Sequence, residues 1–252
     1  MVERPRSFRA EAIVLRHADW GEADRLLTLY TREMGKVRAL AKGARKVRSR
    51  KAGHLEPFTH VRLLLAGGRD LLIVTQADTL NAHLPLRADL ERLGYAAYVV
   101  ELLDRFVYEE GENVSLFHLL TDTLTRLDAE ADVWPVVRYY EMRLLDVLGF
   151  RPQLFTCANC ETEIQPQDQF FSAAQGGVLC PGCGAGLPEV RAVSVETLKY
   201  MRHFQRSSYA VARRAHPNPA TRQAVEELMQ AYLTYLLERG LNSPGFIRRV
   251  RG

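Results

Sequence analysis

KVRALAKGARKVRSRK, residues 36–51, holds eight Lys and Arg and no acid. The whole chain has 34 basic and 30 acidic groups, a net charge of +4, so without this stretch 26 basic groups face 30 acidic ones. The positive character is local. A concentrated basic run on an otherwise mildly acidic chain is an electrostatic footprint for a polyanion. A solvated loop can carry the same run of charge. Two features favour the sharper reading. Lys36 to Ala41 alternates as a strand does, and Gly43 lets the backbone turn tightly beyond it. Lys36, Arg38, Lys42, Arg45, Lys46, Arg48, Arg50 and Lys51 are therefore candidate phosphate-binding residues, displayed by a β-scaffold.

Around this run the first 80 residues read as five short strands: Glu11–Arg16, Arg25–Thr31, Lys36–Ala41, Phe58–Leu65 and Leu71–Gln76. Met34-Gly35 and Gly67-Gly68 are the hairpin signals between neighbours. No helical periodicity interrupts them. Five strands in so short a span suit a small closed barrel of the OB-fold type, with the basic connection between strands three and four. Trp20, Tyr30 and Phe58 lie near the basic residues in sequence and are candidates for base stacking, although each also suits a core.

Beyond residue 80 the period changes to that of helices. Pro85 opens a helical stretch running to Glu109; Asn113 caps a second helix; Asp132 caps a third, which Gly149 closes as a left-handed cap. Ser194 and Asn218-Pro219 start two more, the latter ending before Gly240 at its C′ position. The tail FIRRVRG reads as a frayed basic terminus. The expected class is α+β multidomain. A five-stranded barrel occupies residues 1–80 and a helical domain residues 81–252, with an insert at about 153–190. Residues 1–85 carry +7, 86–156 carry −6 and 157–252 carry +3, so the middle of the chain should repel a phosphate backbone.

That insert holds all four cysteines, as Cys157-Ala-Asn-Cys160 and Cys180-Pro-Gly-Cys183 with 19 residues between the pairs. Each C-x2-C turn offers two thiolates at the bite zinc needs, and the spacing lies in the range of zinc sites. Four sulfur ligands close the shell, which points to one structural Zn2+ and not to a catalytic ion. His54-Leu-Glu56 with the second knuckle superficially resembles the H-x-E and P-C-x-x-C of zinc deaminases. However, Leu179 stands where that proline should be, and two cysteines would go unused. No catalytic residue is assigned. Clustered cysteines, no apolar run of roughly 18 residues and no long apolar stretch at the N-terminus give the expectation of a cytoplasmic protein without membrane span or signal peptide.

The stretch EAIVLRHADWGEADRLLTLYTREMGKVRALAKGARK at 11–46, HLEPF at 54–58, LGF at 148–150 and the four-cysteine module together resemble the RecO family of bacterial recombination mediators. The likeness extends over essentially the whole chain. It implies an N-terminal OB-fold, a helical C-terminal domain with an embedded zinc knuckle, binding of single- and double-stranded DNA, and annealing of complementary strands. It also implies a RecR-type partner, contact with the single-strand-binding protein, and loading of the RecA recombinase. The acidic tail of that binding protein would suit Arg202 and Arg206, whose forks can grip carboxylates. The residues alone leave open an RNA-binding OB protein and, third, a zinc-dependent hydrolase or deaminase.

Overall fold

The computed structural model describes residues 7–108, 111–238 and 240–251. Five strands, β1 (Ser7–Trp20), β2 (Asp24–Thr31), β3 (Gly35–Ala41), β4 (His60–Ala66) and β5 (Leu72–Asn81), close into a barrel in the order β1-β2-β3-β5-β4. All pairings are antiparallel except a short parallel one, Ala39 with Leu72 and Leu40 with Ile73. The expected OB-type barrel is present. Its interior is made by the alternate residues Ala10, Ala12 and Val14, Leu27 and Leu29, Ala39 and Ala41, Val61, Leu63 and Leu65, and Leu72 and Val74. Alanines on β1 and β3 alternate with the larger leucines of β2 and β4, a small-against-large pattern that suits the narrow interior of a five-stranded barrel.

Two local expectations change. β1 runs from Ser7 to Trp20, far beyond Glu11–Arg16, because it pairs with β4 through its first half and β2 through its second. A bulge between Val14 and Arg16 lets one strand serve both neighbours. Gly67-Gly68 is also not a two-residue turn. β4 ends at Ala66 and β5 begins at Leu72, and a Cβ on Gly68 would stand 2.1 Å from the Leu71 carbonyl oxygen. The glycine serves close backbone approach within a longer loop.

By packing, the chain divides into two compact units, residues 1–130 with 242–252, and residues 131–241. In the first, α1 (Leu84–Ala88), α2 (Leu90–Phe106) and α3 (Val114–Ala129) follow the barrel. α2 stops at Phe106; the expected end, Glu109, lies outside the described residues. Asp89 caps α2 and Asn113 caps α3, as side-chain acceptors for backbone N–H groups.

The second unit holds α4 (Trp134–Val147), strands β6 (Gln169–Ser172) and β7 (Gly177–Leu179), the single turn α5 (Pro181–Gly184), β8 (Val190–Val193), then α6 (Val195–Arg206), the short α7 (Tyr209–Ala212) and α8 (Pro219–Leu237). The three strands form a sheet in the order β7-β6-β8. Gly149 takes φ +81 behind α4, as a left-handed cap requires. On α8 that position falls to Glu238, φ +51, and not to Gly240.

Residues 243–251 return to the first unit as α9 (Ser243–Arg251), so the tail is not frayed. The Glu101 carboxylate of α2 accepts from the backbone N–H groups of Asn242 and Ser243, which satisfies the start of α9. Ile247 is buried, and Gly94 of α2 leaves room for Phe246 and Ile247. An apolar stripe of three residues is too short to signal a helix, which is why its basic residues dominate the sequence pattern.

Helix α2 also packs on β1, and Lys36 of β3 reaches it. Its ammonium lies 2.7 Å from Asp104 Oδ1 and donates to the Asp104 and Val107 carbonyls at 2.6 and 3.1 Å. Arg16 supplies a second cation to Asp104 at 3.1 Å. Burial alone would raise the Asp104 carboxyl, but Lys36 and Arg16 outweigh it and hold the group below its ordinary range. Asp104→Asn should therefore lower stability by about 1.5–3 kcal/mol at pH 7. Because the folded-state pKa is depressed, that contribution is complete above the unfolded pKa of about 4 and is lost as pH falls through the folded value. Urea unfolding of both proteins should show the gap closing below about pH 4; a gap independent of pH would remove the carboxylate as its cause.

Candidate nucleic-acid interface and metal centre

The connection from β3 to β4, residues 42–59, carries most of the basic run. Two acids and one arginine hold it in place. Asp24 Oδ1 accepts from the Gly43 N–H at 2.7 Å, with Gly43 at φ +66. Glu56 pairs with Arg25 at 2.8 Å and lies 3.4 Å from His17. Burial would raise Glu56, yet Arg25 and His17 prevail and hold it below the usual carboxylate range. Arg45 reaches the β1–β2 turn, where it pairs with Asp19 at 3.2 Å and donates to the Gly21 and Glu22 carbonyls. Its own N–H donates to the Ala23 carbonyl at 2.9 Å. Ala44 and Leu55 drop into the barrel core as two further anchors.

The eight cations consequently divide. Arg38, Lys42, Lys46, Arg48 and Arg50 are exposed. Lys36 is tied to α2, as described, and Lys51 donates to the Val74 carbonyl at 3.0 Å, with burial lowering its pKa against the pull of Asp24. Arg45 is half given over to the turn. Among the three aromatic candidates only Trp20, 49% exposed beside that turn, offers an open ring face. Tyr30 is a correction: it is 1% exposed, and burial pushes its hydroxyl up to about 12. It sits on the β2 face opposite the barrel interior, beside Ile13 and Lys36 in the ladder, where the covering elements hide it. Phe58 is half-buried at φ +70, its N–H donating to the Val14 carbonyl.

In the second unit the four cysteine sulfurs lie within 4.8 Å of one another and could hold a metal ion. Cys157 is buried and Cys160 exposed. The donor set fits a cation on its own chemistry. The Cys180 N–H and the Asn159 side-chain amide donate to Cys157 and Cys183 sulfur at 3.4 and 3.3 Å, as they would to thiolates. The Thr162 hydroxyl and N–H bring Cys160 down to about 6. Asn159 also lowers Cys183, but the neighbouring Cys160 and Cys180 outweigh it and push that thiol up to about 11. Four sulfurs so close cannot all ionise without a positive charge among them. An ion held by all four would have no open position for substrate or water, so such a centre would suit stitching two turns together.

A cleft of about 770 Å3 opens in the same unit along α6 and α7. Leu198 and Val211 give it apolar walls, Arg202, Arg206 and Arg214 give it positive ones, and His203 lies among them. It contains both arginines singled out in the sequence. Arg202 Nε donates to the Leu154 carbonyl at 2.8 Å, and Arg206 Cζ lies 3.7 Å from the Phe155 ring centroid. The sequence could not reveal the cleft, because its wall combines residues from α6, α7 and the end of the cysteine loop.

Comparison with known proteins matches residues 6–83 to the model of the recombination protein O N terminal and residues 87–244 to that of the recombination protein O C terminal. A protein named DNA repair protein RecO from Roseiflexus sp. (strain RS-1) is 45% identical over 98% of this chain and 87% of its own. One of the same name from Pelotomaculum thermopropionicum is 39% identical over 96% of this chain and 94% of its own. Another from Desulforudis audaxviator is 38% identical over 97% and 98%. Among the described residues no helix is long and apolar enough to cross a membrane.

A metal that acts only locally makes a specific prediction. Stripping it with a chelator should raise amide hydrogen exchange in β6–β8 and the two cysteine turns while β1–β5 keep their protection. Equal loss of protection in both units would show that the centre is not a local brace.

Proposed function

The chain belongs to the RecO family, and from that premise we propose that it is a DNA repair and recombination mediator. In this reading it binds single- and double-stranded DNA, anneals complementary strands, and helps load the recombinase onto DNA coated by single-strand-binding protein. The observation that carries the reading is the exposed group of Arg38 on β3 and Lys42, Lys46, Arg48 and Arg50 on the loop that follows, which is anchored at both ends, together with the exposed Trp20 next to the turn that Arg45 of that loop contacts. Annealing makes no covalent bond and needs no catalytic group. It needs phosphates neutralised so that two like-charged strands can approach, and bases left unpaired. Cations release counterions without regard to sequence, and an open indole face accepts any base.

The metal of the cysteine centre is proposed to be one structural Zn2+. The cleft of α6 and α7 is proposed to receive the acidic tail of the single-strand-binding protein. Its arginines would hold carboxylates as forks, and its apolar walls would take the neighbouring side chains. A RecR-type protein is the further partner, RecA the indirect one, and the nucleoid of a bacterial cytoplasm the place of work. Matched DNA and RNA oligomers in competition distinguish this reading from an RNA-binding one.

Five phosphate contacts would give log K against log[salt] a slope of about −3.5 for single strands, at about −0.7 per contact. Replacing Lys42, Lys46 and Arg48 by Ala should make it shallower by about 2, equally for unrelated sequences. Unfolding should change little, because these charges are exposed. Annealing should decline with binding. Filter binding or anisotropy across a salt series reads the slope; a folded triple variant with the wild-type slope would make the run a solvated loop.

A further inference from the structure

The two arginines of the α6–α7 cleft are held from the cysteine module, not from their own helix. Phe155, two residues before Cys157, lies under both: its ring centroid is 3.7 Å from Arg206 Cζ and 5.1 Å from Arg202 Cζ. The preceding carbonyl, Leu154, accepts from Arg202 Nε at 2.8 Å, and Pro152 accepts from the Gln205 side chain at 2.8 Å. Phe155 is positioned in turn by the first cysteine turn. Its carbonyl accepts from Ile164 N–H at 2.9 Å, and Cys157 N–H donates to Thr162 at 2.8 Å, so residues 155–164 form one closed loop around Cys157 and Cys160. Gln165 and Pro166, the next residues out of that loop, line the cleft itself.

We infer that the metal module is the rigid wall of this cleft, that Phe155 is its positioning residue for Arg202 and Arg206, and that metal binding and binding of an acidic, apolar-tipped peptide are thermodynamically coupled. The inference rests on the proposed reading of the cleft as a peptide site. Arg206 lies against the ring with Cζ 3.7 Å from its centroid, a cation–π contact that restricts the guanidinium while its remaining N–H groups can serve a carboxylate. Burial and the adjacent Arg206 both disfavour the charge on Arg202, against a smaller pull from Glu163, so a ligand carboxylate between them relieves an existing repulsion. Bound metal ties the turn of Cys157 and Cys160 to that of Cys180 and Cys183. Without it, Phe155 keeps its backbone bonds but loses the frame that fixes its loop. The arginines then sample more orientations, and the peptide must order them on binding.

The test uses the full chain, metal-loaded, with a fluorescein-labelled peptide Asp-Asp-Asp-Leu-Phe followed by anisotropy. Phe155→Ala should weaken binding about threefold to tenfold at unchanged metal content, and Phe155→Tyr, which keeps the ring, should restore it. By reciprocity, saturating peptide should raise the apparent metal affinity, read against a chromophoric chelator, by the factor that metal removal lowers peptide affinity. Peptide binding abolished by Arg202→Ala with Arg206→Ala, yet unchanged in Phe155→Ala and without effect on metal affinity, would overturn the coupling and leave the peptide site standing. Binding indifferent to both arginines would overturn the site and the coupling with it. Metal lost alike from Phe155→Ala and Phe155→Tyr would reduce Phe155 to a structural residue and overturn its positioning role.

Discussion

Closing five strands into one barrel forces a long crossing. β1 already pairs with β2 and β4, so β5 must fill the gap between β3 and β4, and it meets β3 in parallel. The chain leaving β3 cannot turn back as a hairpin. It must cross to the far side of β5 before it can enter β4, and residues 42–59 make that journey. A connection of this length has no ladder to satisfy its backbone, so side chains must hold it. Ala44 and Leu55 enter the core, Asp24 takes the Gly43 N–H, and Arg25 takes Glu56. Most of the exposed basic run of the barrel is the remainder of that crossing.

The same constraint explains why only some of the cations remain open. Lys36 stands on β3 itself, on the outward face that α2 covers, and a cation buried there needs a carboxylate, which Asp104 provides. Arg45 lies where the crossing passes the β1–β2 turn, and its fork closes on one side chain and two carbonyls. Lys51 lies where the crossing passes β5 and meets the Val74 carbonyl. Arg38 lies on β3 itself, and the other exposed members, Lys42, Lys46, Arg48 and Arg50, follow the loop between these contacts. Charge that holds the loop and charge that faces outward are therefore adjacent in sequence and separate in role. A loop so held loses little conformational freedom when a strand of nucleic acid settles on it.

How far the sequence reveals this depends on how local each signal is. Alternating residues in β2 and β3, the Asn113, Ser194 and Asn218 caps and the cysteine spacing are local, and the structure contains each of them. β1 was legible only in its middle, because its first half is defined by pairing with β4, some 50 residues on. Gly67-Gly68 imitates a hairpin turn, since a glycine needed for close approach and one needed for positive φ are the same letter. Lys36 could not be sorted from the exposed residues beside it, because what covers it is a helix about 70 residues downstream, and the burial of Tyr30 on the same outward face has no local signal either. The exposed fork of the DNA-facing candidates was legible as composition and not as geometry. The cleft was not legible at all beyond its two arginines.

Both proposed ligands are polyanions, and the two surfaces differ in a way that keeps them apart. The crossing presents exposed cations, with an exposed indole next to the turn it passes, so attraction there is a matter of line charge and counterion release. Such a surface favours a long regular polyanion over a short peptide, and salt weakens it steeply. The cleft offers two guanidinium groups, one in contact with an aromatic ring, beside the apolar side chains of Leu198 and Val211. A phosphate backbone has nothing to place against those walls, whereas a peptide that alternates carboxylate and apolar groups satisfies both. Arg202 is half-buried, so a carboxylate paired with it is screened less than one paired with the open cations of the crossing. Moderate salt should accordingly release nucleic acid from the barrel while a peptide stays in the cleft. In the proposed reading, the protein would then remain attached to its peptide partner while nucleic acid leaves the barrel.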